Sequence, residues 1–210
     1  MNRLKVCNLY CGIGGNRKLW EDVNVTAVEL DPEIAKVYQS YFPDDKVIVA
    51  DAHQYLLDHY KEFDFIWSSP PCPSHSRINT DGNQKARYPD MTLYEEILFL
   101  GNNWYNGLWG VENVIPYYTP LIYAKEIDRH LFWANFKIYD YEQTEKPLSI
   151  ALQTGTTNRF GFNLKGVKIK GNKRQIMKNL VNPETGLYIL NCARNIITKS
   201  NVNQTNLFES

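Results

Sequence analysis

The sequence predicts an α/β fold, a mostly parallel sheet with helices on both faces. Three observations carry this. Strand-like and helix-like segments alternate through the first 115 residues with short connections, which implies right-handed crossovers and a covered parallel sheet. Residues able to do chemistry fall just past the ends of several apolar runs, where open α/β sheets bind ligands. Finally, 210 residues with 43% hydrophobic and 22% charged side chains suit one ordinary globular domain with a real core.

Taken in order, residues 6–10 form a short apolar run ended by a glycine turn, and residues 24–30 a second run. Pro32 then opens a helix to Tyr41, with proline at a first-turn position. Residues 46–50 read as a strand, 52–60 as a short helix, 63–67 as a strand, 92–104 as a helix and 108–111 as a fifth strand. Residues 129–136 look like one more strand. The stretch 76–90 is polar, holds a single glycine and lacks periodicity, which suits an active-site loop. Beyond residue 140 the pattern turns irregular, and 198–210 reads as a tail. The expected division is a catalytic and ligand-binding domain over 1–140, a small basic segment over 141–188, and a return segment with tail over 189–210.

No stretch approaches the roughly 18 apolar residues of a membrane span, and the N-terminus runs straight into a strand-like segment, so no signal peptide fits. Four cysteines without Cys-x-x-Cys pairs argue for reduced thiols in a cytoplasm. Net charge is zero but unevenly spread. Residues 1–140 carry 13 Lys and Arg against 19 Asp and Glu, whereas residues 141–199 carry 10 against 3. A basic last third suggests a surface that faces a polyanion.

Three polar markers sit on successive strand ends. Tyr10-Cys11-Gly12-Ile13-Gly14-Gly15 follows the first strand, and its glycines let the backbone approach a ligand and turn the chain into an expected helix, whose N-terminal N–H groups suit a carboxylate or phosphate. Glu29-Leu30-Asp31 ends the second strand, where an acidic residue can hold ribose hydroxyls. Asp51-Ala52 ends the third, where a carboxylate can accept from an exocyclic amine. Together they point to an adenosine-type ligand; Glu29 and Asp51 could equally cap the helices that follow.

The segment Ser68-Ser69-Pro70-Pro71-Cys72-Pro73-Ser74-His75-Ser76 places a cysteine between prolines on a stiff loop after an apolar run. A structural thiol and a metal ligand are the plainer readings. His75 is the one plausible ligand nearby and zinc wants about four, so no metal site is expected, and the polar surroundings do not look like core. A thiolate attacks an electron-poor ring carbon well if its pKa is lowered or the adduct is stabilised. Glu112, in Leu108-Trp109-Gly110-Val111-Glu112-Asn113-Val114, could supply the second by general acid catalysis if burial keeps it protonated. Its plainer role is a helix cap before Pro116.

These residues, in this order, resemble the DNA cytosine-5 methyltransferases. The resemblance implies a Rossmann-like S-adenosylmethionine-dependent methyltransferase fold, with S-adenosylmethionine as cofactor and double-stranded DNA as partner. It would give the cofactor Tyr10, Cys11, Gly12, Ile13, Gly14, Gly15, Glu29, Leu30, Asp31, Asp51, Ala52 and Pro70. Cys72 would be the nucleophile, Ser76 the usual serine of its loop, and Glu112 the group engaging the edge of a flipped-out cytosine. The sequence departs from the family at Pro73, where glutamine is usual, and at His75, where an aromatic is usual. The later two-arginine motif survives only as Asp128-Arg129-His130-Leu131-Phe132-Trp133, with Arg129 expected to supply the missing charge. The last motif, near Gly-Asn-Ala-Val, is matched to Leu190-Asn191-Cys192-Ala193, so that Asn191 would close the cofactor pocket. Only residues 140–188 are left for target recognition. There Lys165, Lys168, Lys170, Lys173 and Arg174, interleaved with glycines, read as a hairpin gripping the phosphate backbone, or as a solvated face. Arg77, Asn158 and Arg159 are the other expected nucleic-acid contacts. Three functions fit: a DNA cytosine-5 methyltransferase in a prokaryotic or phage-infected cell, an RNA methyltransferase of the same chemistry, or a catalytically impaired binding protein.

Overall fold

The computed structural model describes residues 3–76, 88–102, 104–141 and 158–197. The elements are β1 (Leu4–Leu9), β2 (Val23–Glu29), α1 (Pro32–Tyr41), β3 (Lys46–Val49), α2 (Ala52–His59), β4 (Phe65–Ser68), α3 (Thr92–Gly101), β5 (Leu108–Val114), β6 (Lys125–Ile127) and β7 (His130–Ala134). After them come the two-residue strands β8 (Asn158–Arg159) and β9 (Phe162–Asn163), then α4 (Lys173–Lys178) and α5 (Pro183–Ala193).

One seven-stranded sheet has the order β3-β2-β1-β4-β5-β7-β6. Strands β1 to β5 run parallel, and β7 lies antiparallel to both β5 and β6. The chain starts mid-sheet at β1, walks out to β3, and returns to β4 on the other side of β1. Register pairs Leu9 with Ser68 and Ser68 with Val111, so the loops after β1 and β4 open beside the end of β5. Strand order reverses there, and such a crevice is the usual ligand site of an open α/β sheet.

The central strands are buried on both faces: Val6, Leu9, Phe65, Ile66 and Trp67 are all at most 1% exposed, as a doubly covered parallel sheet requires. One face packs on Trp20, Tyr38, Ile189 and Leu190, the other on Leu56, Leu93, Ile97 and Leu100. Asp31 caps α1 by accepting from the amides of Glu33 and Ile34, with Pro32 at the first helical position. Asp51 caps α2 through the amide of Gln54.

Five expectations need correction. The helix expected after the glycine loop does not form: residues 15–19 make separate turns, with the Lys18 amide bonding the Gly15 carbonyl and the Trp20 amide that of Arg17. β5 runs three residues past Val111, because β7 pairs with it and sets Glu112 opposite Phe132; Glu112 is thus inside a strand and caps no helix. The helix expected to reach residue 104 stops at Gly101. The strand expected over 129–136 is the shorter β7, preceded by the unforeseen three-residue β6. Helix α5 runs across position 188, so the boundary placed there falls inside one packed element. Nor does the described part of the basic segment have a core of its own: Phe162, Leu164, Met177 and Leu180 pack with Ile13 of the glycine loop and Val37 of α1. The expected loop tip with Arg77, residues 142–157 and the tail 198–210 lie outside the described residues.

Candidate functional site

The glycine loop is shaped by packing on one side and left open on the other. A Cβ on Gly14 would lie 2.3 Å from the Phe42 ring, and one on Gly15 would lie 2.7 Å from the Val181 carbonyl oxygen. Those two glycines admit close neighbours. Gly12, at φ +54°, would place a Cβ with nothing within 4 Å, so its backbone faces free space. Cys11 and Ile13 turn their side chains into the core, leaving only their backbone for a ligand. Below the loop, the buried Asn16 and Asn8 amides pair side chain to side chain at 2.8 Å.

Glu29 locks this loop to the end of β2. One carboxylate oxygen accepts from the Gly12 amide and the other from the Asp31 amide, each at 3.0 Å. Burial nevertheless pushes its pKa above the usual carboxylate range. Beside it opens a cleft of about 430 Å³ lined by Glu29, Leu30, Asp31, Pro32, Glu33 and Lys170. Leu30 is 66% exposed there, an apolar surface at the mouth of a polar cleft. Asp51, one strand further, is exposed as well as capping α2, so its cap role leaves it reachable. The Ala52 methyl is buried in the core.

Tyr10, at φ +54°, is anchored from below. Its hydroxyl donates to Glu96 at 2.7 Å, and Glu96 also accepts from the Ser68 hydroxyl at 2.5 Å and meets His53 Nδ1 at 3.1 Å. Glu96 is fully buried. Sequence reasoning missed it, although a signal existed: Glu96 lies on the α3 face that also carries Leu93, Ile97 and Leu100, where an unpaired carboxylate would be costly.

The cysteine loop is clamped at several points. The Cys72 carbonyl accepts from the amides of His75 and Ser76, the Asn113 side chain donates to the Pro70 carbonyl at 3.0 Å, and Ser76 bridges to Pro116. His75, 1% exposed, meets the Tyr118 hydroxyl at 2.6 Å through Nδ1; an imidazole thereby fills a place where the family resemblance expects an aromatic. The loop brings the half-buried Cys72 close enough to Glu112 for the two charges to interact. Burial first, then Glu112, pushes the Cys72 thiol up, while Arg129 pulls it down. The thiol is therefore not pre-ionised. Of the two routes open to a cysteine nucleophile, this geometry favours stabilising the adduct.

Glu112 is 6% exposed and its pKa is raised to about 7, chiefly by burial, against a hydrogen bond from Ser69 and the charge of Arg129. It can therefore carry a proton near neutrality. Arg129, expected as the cation of the site, feels both groups electrostatically but turns its Nη2 to the carbonyls of Lys178 and Leu180. The nearer neighbour is His130, whose Nε2 stands 3.6 Å from Glu112 Oε1. Burial and the charges of Arg129 and Arg159 depress His130 to about 3, so it is neutral.

The remaining predicted residues divide. Asn191 does not reach the cofactor cleft. The start of α5 touches the glycine loop, with Gly186 against the Asn16 backbone, whereas Arg194 at its other end bonds the carbonyls of Glu21 and Asp22 before β2. Asn191 sits near that far end. Asn179-Leu180-Val181, packed on Gly15, fits the Gly-Asn-Ala-Val pattern better, with Lys178 in place of the glycine. The lysines follow the β8–β9 hairpin; none is part of it. Lys165, Lys168, Lys170 and Arg174 are exposed and Lys173 is half-buried. The Lys170 amide donates to Glu33 at 2.7 Å, which sets this residue on the Glu29 cleft. Asn158 is exposed; Arg159 donates to the Met177 carbonyl and lies 4.2 Å from the Phe160 ring centroid. Among the described residues, no cluster of three or more His, Cys, Asp or Glu could hold a metal, and no helix is long and apolar enough to cross a membrane.

The family model described as C-5 cytosine-specific DNA methylase matches residues 4–98. A rat tRNA (cytosine(38)-C(5))-methyltransferase is 28% identical over 101 residues, covering 45% of this chain and 26% of that protein. The match thus spans about a quarter of the relative's length. Among solved structures, a methyltransferase from Entamoeba histolytica aligns over 95% of this chain and all of that one, at 12% identity and a TM-score of 0.56. A DNMT2 variant from Spodoptera frugiperda aligns over 53% of this chain and 35% of that one, at 26% identity and a TM-score of 0.37. The sheet order and its antiparallel β7 accordingly belong to a Rossmann-like methyltransferase fold. S-adenosylmethionine is the implied cofactor, and the open backbone of Gly12, the Glu29 cleft and the exposed Leu30 and Asp51 fit it. Residues 4–98, which hold the glycine loop, Glu29, Asp51 and Cys72, are thus similar to the C-5 cytosine-specific DNA methylases.

Proposed function

We propose that this chain methylates carbon 5 of cytosine in DNA through a covalent Cys72 adduct on a flipped-out base. The observation that carries the reading is the meeting of Cys72 and a protonatable Glu112 at the same sheet edge as the Gly12–Glu29 cleft. Glu29 would hold the cofactor's ribose and Asp51 its adenine amine. When bound, S-adenosylmethionine supplies an electrophilic methyl group.

The chain's own residues then do the rest. Cys72 Sγ, on giving up its proton, bonds to carbon 6 of the ring while the Glu112 carboxyl passes its proton to ring nitrogen 3, so charge does not build on the ring. Carbon 5 becomes nucleophilic and takes the methyl group. A base removes the carbon 5 proton, the bond between Cys72 and carbon 6 breaks, and the proton on nitrogen 3 returns to Glu112. The raised Cys72 pKa makes Glu112 the critical partner, since protonation of the ring draws the thiol into the adduct. Asn113, by holding the Pro70 carbonyl, keeps the two reacting groups in register.

A second reading has its own support: the rat relative is a tRNA (cytosine(38)-C(5))-methyltransferase. Incubating the protein with methyl-labelled S-adenosylmethionine and either duplex DNA or tRNA, then hydrolysing to nucleosides, separates the two. Label in 5-methyldeoxycytidine supports the first reading and label in 5-methylcytidine the second. Label in neither, with cofactor binding intact, would leave a binding protein of the same fold.

A further inference from the structure

One buried carboxylate joins three segments of the site. Glu96, on α3, has no exposed surface. Its Oε1 accepts from the Tyr10 hydroxyl at 2.7 Å and stands 3.1 Å from His53 Nδ1, while its Oε2 accepts from the Ser68 hydroxyl at 2.5 Å. Tyr10 opens the glycine loop, His53 lies in the first turn of α2 just after Asp51, and Ser68 ends β4 at the root of the cysteine loop. Ionised, Glu96 can only accept, and each hydroxyl has one hydrogen to give, so the third bond puts a hydrogen on His53 Nδ1. The other ring nitrogen, Nε2, is 3.9 Å from the exposed Glu95 carboxylate, so a proton there meets a second negative charge. A buried carboxylate without a counter-charge is costly. Among the described residues, His53 is the cation within ion-pair distance of Glu96.

We propose that Glu96 and His53 are positioning residues that brace the glycine loop, the start of α2 and the root of the cysteine loop into one unit, so that the cofactor cleft and the Cys72 thiol do not move independently. The cofactor side of the brace rests on the placement of S-adenosylmethionine proposed above. Glu96 and Ser68 are fully buried and have no surface to offer a ligand. Any effect they have on cofactor affinity must pass through Tyr10 and α2. The titratable and charged groups facing the pair are Cys7 from β1, Tyr10 from the glycine loop, Asp51 from the start of α2, Asp90 from the segment before α3, and Glu95 from α3. Burial pushes Cys7 and Tyr10 up, so both keep their protons, and the three carboxylates favour a charged His53. The bond to Glu96 raises His53 above its ordinary 6.5, so the charged pair is complete below pH 6.5 and is lost as pH rises through the folded midpoint.

The test looks for each end of the brace at the other. Calorimetry should show folded Ser68→Ala binding S-adenosylmethionine roughly three- to ten-fold more weakly, a part of one charged hydrogen bond, although Ser68 cannot touch the cofactor. Iodoacetamide reads the thiol, because Cys7, Cys11 and Cys192 are buried and Cys72 is not. Without cofactor and below the His53 midpoint, His53→Gln should raise the rate of Cys72 alkylation by roughly two-fold or more, as a loosened loop frees the thiol. The imidazole resonance of His53, identified by its loss in His53→Gln, should titrate above 6.5 in wild type and fall toward 6.5 in Glu96→Gln. Wild-type cofactor affinity should decline through that midpoint, and the decline should be absent from His53→Gln. Unchanged cofactor affinity in folded Ser68→Ala would overturn the brace, as would an unchanged alkylation rate in His53→Gln or a His53 midpoint indifferent to Glu96→Gln. The His53 side chain is 28% exposed, so His53→Gln decides the matter if the buried variants do not fold. Absence of S-adenosylmethionine binding in the wild type would refute the proposed cofactor site, yet the titration and the alkylation would still decide the brace.

Discussion

Glu112→Gln should stabilise the fold at pH 8 even as it removes the proposed acid. In the folded protein the Glu112 pKa rises from 4.5 to about 7. Below pH 4.5 the carboxyl is protonated whether the chain is folded or not, and costs nothing extra. Between pH 4.5 and 7 the unfolded chain is ionised while the folded carboxyl keeps its proton, so the folded state loses stability with rising pH until both are ionised above 7. Some 2.5 units at about 1.4 kcal/mol each give a loss of about 3 kcal/mol, to order of magnitude. His130 acts in the opposite direction, since its pKa falls from 6.5 to about 3 on folding. Its contribution is present above pH 6.5 and is lost as pH falls toward 3. Between pH 4.5 and 6.5 the two slopes oppose each other, so wild-type stability should vary little there on account of this pair. Glutamine is nearly isosteric, so the substitution removes the titration with little change in packing. Urea unfolding of both proteins from pH 4.5 to 8.5 measures the effect. The stability of the variant relative to wild type should rise by about 3 kcal/mol across that range, and the variant alone should show the uncancelled His130 slope below pH 6.5. A difference between the two proteins that does not change with pH would refute the buried, raised carboxyl and with it the acid role.

Other outcomes follow from the same geometry. Cys72→Ala should abolish methyl transfer yet keep S-adenosylmethionine affinity, by product analysis and calorimetry, and substrate carrying 5-fluorocytosine should trap a denaturation-resistant complex with wild type alone. Glu29→Gln should weaken cofactor binding roughly ten- to hundred-fold, because both carboxylate oxygens accept backbone amides and a glutamine amide can satisfy only one. Gly14→Ala should destabilise the fold by roughly 1–3 kcal/mol through overpacking on Phe42. Gly12→Ala should cost about 1 kcal/mol or less in denaturation and act mainly on cofactor affinity. In salt titrations of nucleic-acid binding, Lys168→Ala should reduce the slope of log affinity against log salt by roughly 0.9, whereas Lys170→Ala should act on cofactor binding.

The parts of this fold that were legible are those whose signals are local. Pro32 after Asp31, the glycine turn after residues 6–10, and the prolines around Cys72 each restrict the backbone within a few residues; α1 and the turn after β1 lie where these marks put them, while the helix expected after the glycines does not form. Chemistry-bearing residues on strand ends were legible for the same reason, since register in a parallel sheet brings those ends together. The losses are tertiary. The three-residue strand β6 has one buried side chain, Ile127, and forms because β7 offers it an edge. Asn191 was chosen on a short motif that Asn179-Leu180-Val181 fits better, and only the direction of α5 reveals the difference. His130 could not be ranked over Arg129 without knowing that the carbonyls of Lys178 and Leu180 claim the arginine.

That last competition explains how the described part of the basic segment stays in place. Among the described residues it has no separate core, and polar bonds that use backbone acceptors and donors fasten it as well. Arg129 holds the carbonyls of Lys178 and Leu180, Arg159 holds that of Met177, and the Tyr41 hydroxyl both donates to the Asn163 carbonyl and accepts from its amide. Lys18 adds a cation over the buried Phe162 ring, 4.3 Å from its centroid. Arginines held in this way have fewer donors left for phosphates. Within residues 141–199 the side chains of Lys165, Lys168, Lys170, Lys173, Arg174 and Lys178 carry no such fastening among the described residues, and all but the half-buried Lys173 are exposed. The same bonds run from the segment to α1, the glycine loop and the turn before His130, so the protein would hold its target, its cofactor and its acid through one connected set of contacts. A substitution that loosens Arg129 should accordingly disturb target binding and the Glu112 environment together, where a free recognition domain would let the two vary independently.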